Sequence, residues 1–407
     1  MRVAVKIGLA VAIVIGVCAI VAAIIMGRSG AGDRAERTAD VRPEVLIVEG
    51  DSWPMFRGGQ RLLGRASGAL ADSLVFFWKF KTNGEVRSSP VIEDGLVYVG
   101  SSDANVYAID LTTGQQVWAY RTADAVEATP CVVGGSVFVG SSDSFLYALD
   151  AKDGSLKWKY ETEGEILGAA NWTRSPDNGP VLILVGSYDN KLYCINSASG
   201  QAVWMYETDS YINGSPAVGE GKTAFGGCDA LIHVVSVADG GKVTQIDAGS
   251  YIAASAAFLD GQVYVGNYDN AFIKADIATG KIVWEYIEAG CPFFSSPAVG
   301  ESVVVFGGRD NRVHCVDRDD GTVVWTFPTQ GEVDSSPVIC GDKVIVGSED
   351  GRLYMIRLSD GTEVWSYEIG QAVMSSPAVA YGLVVVGCDD GYVYAFGATR
   401  QNRGADL

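Results

Sequence analysis

A Gly-x-x-Asp tetrapeptide recurs eight times along the chain. It begins at Gly100, Gly140, Gly186, Gly226, Gly266, Gly307, Gly347 and Gly387 and closes on Asp103, Asp143, Asp189, Asp229, Asp269, Asp310, Asp350 and Asp390. The spacings are 40, 46, 40, 40, 41, 40 and 40 residues. A period near forty, with strand-like segments in each unit, is the mark of a radial array of small sheets. The repeat therefore overrides the usual division of 407 residues into two or three domains. Function has to be sought in what the units do not share.

One unit reads as four strands. Ser88 to Ile92 is short and apolar, Glu93-Asp94-Gly95 is turn chemistry, and Leu96 to Gly100 is a second strand. Ser101 to Asn105 turns the chain into Val106 to Asp110, and Thr112-Thr113-Gly114 turns it again into Gln116 to Tyr120. Glycine in such turns supplies positive φ, and aspartate tolerates it while hydrogen-bonding nearby amides. The eight aspartates thus have a structural reason, and radial turns hold them too far apart to share one ion. Trp78, Trp118, Trp158, Trp204, Trp284, Trp325 and Trp365 follow the same period, with Thr244 at the one vacant place. A large ring on the outer strand suits a contact between neighbouring sheets.

Strand counting predicts the closure. The last unit, Ser375 to Phe396, supplies three strands, and Val75 to Phe80 matches the outer-strand pattern with no unit before it. The expected fold is all-β: an eight-bladed β-propeller of four-stranded antiparallel blades, its last blade completed by the N-terminal strand. Closing the ring removes the open edges that invite aggregation.

The ends differ in kind. Ile7 to Met26 is a 20-residue run without a charge, long enough to cross a bilayer as a helix. It exceeds the core of a signal peptide, so residues 1–27 read as a transmembrane anchor. A signal peptide cleaved near Ser29-Gly30-Ala31 is the competitor. Flanking Lys and Arg do not settle orientation. Residues 28–52 read as a linker, polar apart from Val45 to Val48, residues 53–398 as the propeller and 399–407 as a tail. With 30 Lys and Arg against 49 Asp and Glu, the chain lacks the cations that nucleic-acid binding requires. Its eight cysteines show no close pairing and read as buried apolar side chains. No metal site is expected.

The segments Asp110-Leu-Thr-Thr-Gly114-Gln-Gln-Val-Trp118, Asp276-Ile-Ala-Thr-Gly280-Lys-Ile-Val-Trp284 and Asp317-Arg-Asp-Asp-Gly321-Thr-Val-Val-Trp325 resemble the tryptophan-docking repeat of pyrroloquinoline-quinone-type propellers. Trp53-Pro54-Met55-Phe56-Arg57-Gly58 is similar to the segment that precedes the first blade in that family. The family holds quinone- and calcium-dependent dehydrogenases and a non-enzymatic, BamB-like branch that binds proteins. The dehydrogenases carry an adjacent cysteine pair in many members and long insertions over the channel. No two cysteines are adjacent here, and the longest insertion, near Asn171 to Pro180, is short.

The resemblance to the non-enzymatic branch implies a membrane-anchored, extracytoplasmic scaffold for protein partners in the cell envelope, with no catalytic residues, no cofactor and no pyrroloquinoline quinone or calcium. A quinoprotein dehydrogenase, or a propeller sensing a small molecule or glycan, is the alternative. Arg87, Glu127, Leu167, Asn213, Ala253, Phe294, Asp334 and Met374 should line the channel mouth. His233 and His314 stand where other units have tyrosine and read as blade residues. The candidate partner surface is Trp172, on a longer loop of the third blade, with Tyr211, Tyr251, Phe293 and Phe294 at neighbouring blade entrances. Asn171-Trp172-Thr173 and Asn213-Gly214-Ser215 match the glycosylation acceptor pattern.

Overall fold

The computed structural model describes residues 45–48, 52–175, 179–288 and 290–399. The apolar run 7–26 and the tail beyond Thr399 lie outside them. Among the described residues no helix is long and apolar enough to cross a membrane.

Eight antiparallel sheets make the ring. Blade 1 consists of Val91–Glu93, Leu96–Ser101, Asn105–Asp110 and Gln116–Arg121, from the channel outward. Blades 2 to 7 repeat it over 131–161, 171–207, 217–247, 257–287, 298–328 and 338–368. Blade 8 takes Ala378–Ala380, Leu383–Gly387 and Tyr392–Gly397 from the end of the chain and Val75–Lys81 from its beginning, paired in register Phe76 with Phe396 and Lys81 with Tyr392. The expected closure is what the strands show. A run of inner hydrogen bonds links neighbouring blades: the Ser376 amide donates to Ser89 Oγ (3.0 Å) across the junction of blades 8 and 1. The same bond links Ser215 to Ser255, Ser255 to Ser296, Ser296 to Ser336 and Ser336 to Ser376.

The repeat residues have sharper duties than the sequence reading gave them. Gly100 does not take positive φ. It is glycine because the next blade lies against it: a Cβ there would meet Val126 O at 2.4 Å. The remaining repeat glycines face Ile166, Ile212, Ile252, Phe293, Val333, Val373 and Val86 in the same way. Positive φ falls instead on the residue after each aspartate, as at Ala104 (66°). Asp103 holds that turn by accepting from the Asn105 amide (3.0 Å), the Asn83 amide (2.8 Å) and the Tyr107 hydroxyl (2.7 Å). Burial alone would raise the Asp103 carboxyl, but these donors outweigh it and hold it below the ordinary carboxylate range.

The tryptophans dock one blade onto the next. Trp118 Nε1 donates to Ala151 O (3.0 Å), and the ring covers Gly154, where a Cβ would lie 2.6 Å from it. Trp78, Trp158, Trp204, Trp284 and Trp325 dock alike. At Thr244 the ring is missing, and a cavity of about 290 Å³ opens beside Gly280.

One feature went unread in the sequence beyond its family resemblance. The segment before the first blade is a strap across the ends of the inner strands. Trp53 exchanges hydrogen bonds with Ile92, and Pro54 O accepts from the Val132 amide. Gln60 O accepts from the Val218 amide and from Asn171 Nδ2; Arg61 O, Leu63 O and Gly64 O accept from Phe258, Val299 and Ile339. Arg65–Ala66 adds a parallel strand to blade 7. Val48, in the stretch read as linker, donates to Tyr381 O on blade 8. Every blade is thus held by one piece of chain.

Arg57 is the strap's anchor. It is 2% exposed and donates to the carbonyls of Pro297 (2.9 Å), Ser336 (3.0 Å) and Pro337. Burial lowers its guanidinium to about 9.

Candidate functional site

The strap occupies one end of the channel and the other end is open. Phe56 and the small inner-strand residues Ser89, Thr129, Ala169, Ser255 and Ser296 bound a channel of about 200 Å³. Arg87, Leu167, Asn213, Ala253, Phe294, Asp334 and Met374 line its mouth, seven of the eight that the register predicts; Glu127 is not among the lining residues.

Two loops per blade build the rim around that mouth: the turn of the repeat aspartate and the link from the preceding outer strand. Their backbones pair, as where the Tyr268 amide donates to Tyr251 O (3.0 Å). The frame is fixed while its side chains vary, so chemistry can change without touching the fold.

From blade 3 to blade 6 the rim is aromatic. Tyr188 stacks on Tyr211 with centroids 5.1 Å apart, and Tyr251 on Tyr268 at 4.3 Å. Tyr268 meets Phe294 edge-on at 5.6 Å, and the Arg309 guanidinium lies 3.9 Å from the Phe294 centroid. Tyr211, Tyr251 and Tyr268 are 51%, 39% and 43% exposed, well above what packing alone needs. From blade 6 round to blade 1 the rim is ionic. Arg309 pairs with Asp334 (2.6 Å) and Glu332 (3.2 Å), and Arg87 with Glu85 (2.9 Å) and Asp389 (3.4 Å). Burial, then repulsion from Asp334 and Glu332, raises the Glu349 carboxyl above its ordinary value. Burial likewise raises Asp389.

The candidate residues divide accordingly. Tyr211, Tyr251 and Phe294 come together on the rim. Phe293 does not: it is 1% exposed, fills the place of Val86 and Val126 in other blades, and packs on Phe306 at 5.2 Å. Trp172 does not lie on a loop. It belongs to the inner strand Asn171–Arg174 of blade 3, half-buried against the core, with its carbonyl accepting from Gln60 Nε2 on the strap side (2.7 Å). Asn171 is fully buried, its amide donating to Gln60 O and Pro216 O, which leaves nothing for a glycan. Asn213 is a mouth residue bonded to Cys228 Sγ (3.1 Å).

The sequence reading missed Tyr188, Tyr268 and Arg309. All three stand two residues after a repeat glycine, where blades 1 and 2 carry Ser102 and Ser142. That column was visible in the alignment of the units.

Both histidines occupy the tyrosine place, as expected. His233 Nε2 lies 2.8 Å from Asp229 and His314 Nε2 lies 3.0 Å from Asp310. Burial lowers His233 below its ordinary value despite Asp229.

A family model described as outer membrane protein assembly factor BamB matches residues 65–211 and 288–400. Among solved structures, BamB from Moraxella catarrhalis is 19% identical with TM-score 0.67, over 81% of this chain and 98% of that one. Quinohemoprotein alcohol dehydrogenase from Comamonas testosteroni is 15% identical with TM-score 0.73, over 86% and 81%. The computationally designed protein Ika8 is 17% identical with TM-score 0.66, over 81% and 100%. Identities this low speak for the fold alone. Among curated proteins, none matches the sequence.

Proposed function

The chain belongs to the family of the outer membrane protein assembly factor BamB, and from that premise we propose that it is a non-catalytic scaffold binding a protein partner at the channel mouth. The observation that carries this reading is the split rim. Four tyrosines in two stacked pairs, three of them exposed, form an aromatic arc with Phe294, and the acidic arc of Glu332, Asp334, Glu349, Asp389 and Glu85 continues it. Aromatic side chains with a polar tip are favoured anchors at interfaces. The partner that fits presents apolar side chains beside lysines or arginines. The sequence of residues 7–26 supports a tether to the membrane, and the likeness to BamB, rather than the flanking charges, supports an extracytoplasmic propeller.

A quinone with calcium would need a different mouth. Calcium takes about 6–8 oxygen ligands, whereas Asp334 is paired with Arg309 and Asp389 with Arg87. Asn213 Oδ1 and Asp389 Oδ1 are left without hydrogen-bond partners, but among the described residues no three acidic groups of the mouth converge on one point. The channel of about 200 Å³ also falls short of the roughly 300–1,000 Å³ of ligand pockets. These residues do not fit that group.

The test is affinity capture from intact membranes with the full chain and with Tyr211→Ala/Tyr251→Ala. The reading expects a neighbour recovered by the wild type and lost by the variant at unchanged melting temperature. Equal recovery refutes the choice of surface. Dye reduction by an alcohol or sugar after loading with pyrroloquinoline quinone and calcium refutes the non-catalytic role.

A further inference from the structure

Beneath the aromatic arc, blade 6 departs from its neighbours. The residue after the repeat glycine is Ser101, Ser141, Ser187 and Ser348 in blades 1, 2, 3 and 7, and it fills the space beside the aspartate turn. Ser101 Oγ, for example, donates to Glu85 O (3.2 Å). In blade 6 the residue is Gly308, and three ligating atoms converge on the space left. A Cβ on Gly308 would lie 2.6 Å from Asp310 Oδ1, 2.7 Å from Cys291 Sγ and 3.0 Å from His314 Nε2. The three ligand atoms lie within 4.8 Å of one another. Cys291 is 0% exposed and His314 0% exposed, while Asp310 reaches toward solvent.

Hydrogen-bond bookkeeping points the same way. Tyr286 has one hydroxyl proton, and its oxygen lies 3.0 Å from both Glu288 Oε2 and His314 Nδ1. Donating to Glu288, it accepts from Nδ1–H, a tautomer that leaves the Nε2 lone pair aimed at Asp310 Oδ1. Two acceptors then face each other, and the Cys291 thiol is a donor beside Asp310. Asp310 Oδ2 is buried and lacks a hydrogen-bond partner. Blade 4 closes the same account without an ion. Gln245 Nε2 donates to the Tyr206 hydroxyl, which can donate to His233 Nδ1, freeing Nε2–H for Asp229.

We propose that Cys291, Asp310 and His314 bind a divalent transition-metal ion, with zinc the best match. Thiolate, imidazole and carboxylate are zinc's ligand types, at about 2.3, 2.0–2.1 and 2.0–2.2 Å. A tetrahedron of those lengths sets neighbouring ligand atoms roughly 3.3–3.7 Å apart, so the His314–Asp310 pair opens by a few tenths of an ångström. Asp310 Oδ2 or solvent takes the fourth position. Tyr286 and Glu288 orient the imidazole, the usual outer support of a metal-bound histidine. The ion would pin the link that carries Phe294 to blade 6. This inference stands independently of the partner reading.

The test is titration of the full chain, in detergent and with Cys18→Ser throughout, with Co²⁺ followed by Zn²⁺. The expected result is one equivalent of Co²⁺ giving a thiolate-to-cobalt charge-transfer band that Zn²⁺ abolishes. Cys291→Ala should lose it. His314→Tyr should lose it too, while restoring the Tyr–Asp pair of five other blades and so keeping the fold. Tyr286→Phe should weaken binding about 10–100-fold, and His233→Tyr should change nothing. Absence of saturable binding, or a band that survives both Cys291→Ala and His314→Tyr, overturns the proposal.

Discussion

On the face where the inner strands end, one segment of chain touches every blade; on the face where they begin, each blade presents residues of its own. The strap face is a joint. Its contacts are backbone carbonyls of Pro54, Gln60, Arg61, Leu63 and Gly64 that accept from inner-strand amides, with Arg57 buried among carbonyls. Such contacts tolerate little change. The mouth face hangs its side chains on paired loop backbones, so the rim runs from Tyr188 and Tyr268 to Glu349 and Asp389 at one structural position. The contrast separates stability from recognition, and mutations can be aimed at either.

Removing residues 52–66 should have the largest effect. Trp53, Met55 and Leu62 are at most 2% exposed, and burying side chains of that size contributes about 1.5–3 kcal/mol each. Their joint loss, with Arg57, should cost roughly 5 kcal/mol or more and broaden the melting transition in calorimetry. A ring of unchanged stability would dissolve the distinction between the faces.

Trp118→Ala comes next. It empties a docking site and frees Ala151 O, with about 3–5 kcal/mol expected from chemical denaturation. The reverse experiment is Thr244→Trp. An indole over Gly280 should fill the cavity of about 290 Å³ and stabilise the ring by about 0.5–2 kcal/mol; no gain would mean that blades 4 and 5 have repacked around threonine.

Acid should loosen the mouth side gradually. Asp103 is held below its ordinary range in the folded ring; burial opposes this, but hydrogen bonds from Tyr107 and from the Asn83 and Asn105 amides outweigh it. A depressed folded value contributes stability above the unfolded value of about 3.9 and loses it as pH falls further. Melting temperature should therefore drop below pH ~4, and Tyr107→Phe should flatten that dependence. The smallest effect on stability belongs to Tyr251→Ala, within about 0.5 kcal/mol as for exposed sites, despite its effect on recognition.

Most of the fold was legible because the repeat is periodic in the features that sheets need: apolar strands, turn glycines and docking tryptophans. Closure followed from counting Val75 to Phe80. The strap was not legible, because carbonyls do its bonding and nothing in Gln60-Arg61-Leu62 announces eight separate contacts. Phe293 misled because aromatic type was read before register; its place is aliphatic in most other units and faces a repeat glycine. Trp172 misled because a long hairpin was taken for a loop. Tyr188, Tyr268 and Arg309 could have been found by asking which column of the repeat varies most. The grouping of Cys291 with His314 joins the link before blade 6 to the strand Arg312–Asp317 beside Gly308, and only the fold brings them together.

The most direct test of the division between faces is site-specific photocrosslinking in intact cells, with the crosslinking residue placed at Tyr251 on the mouth rim or at exposed Arg61 on the strap face. The account predicts a discrete protein adduct from position 251 and none from position 61. Adducts from position 61 alone would contradict it.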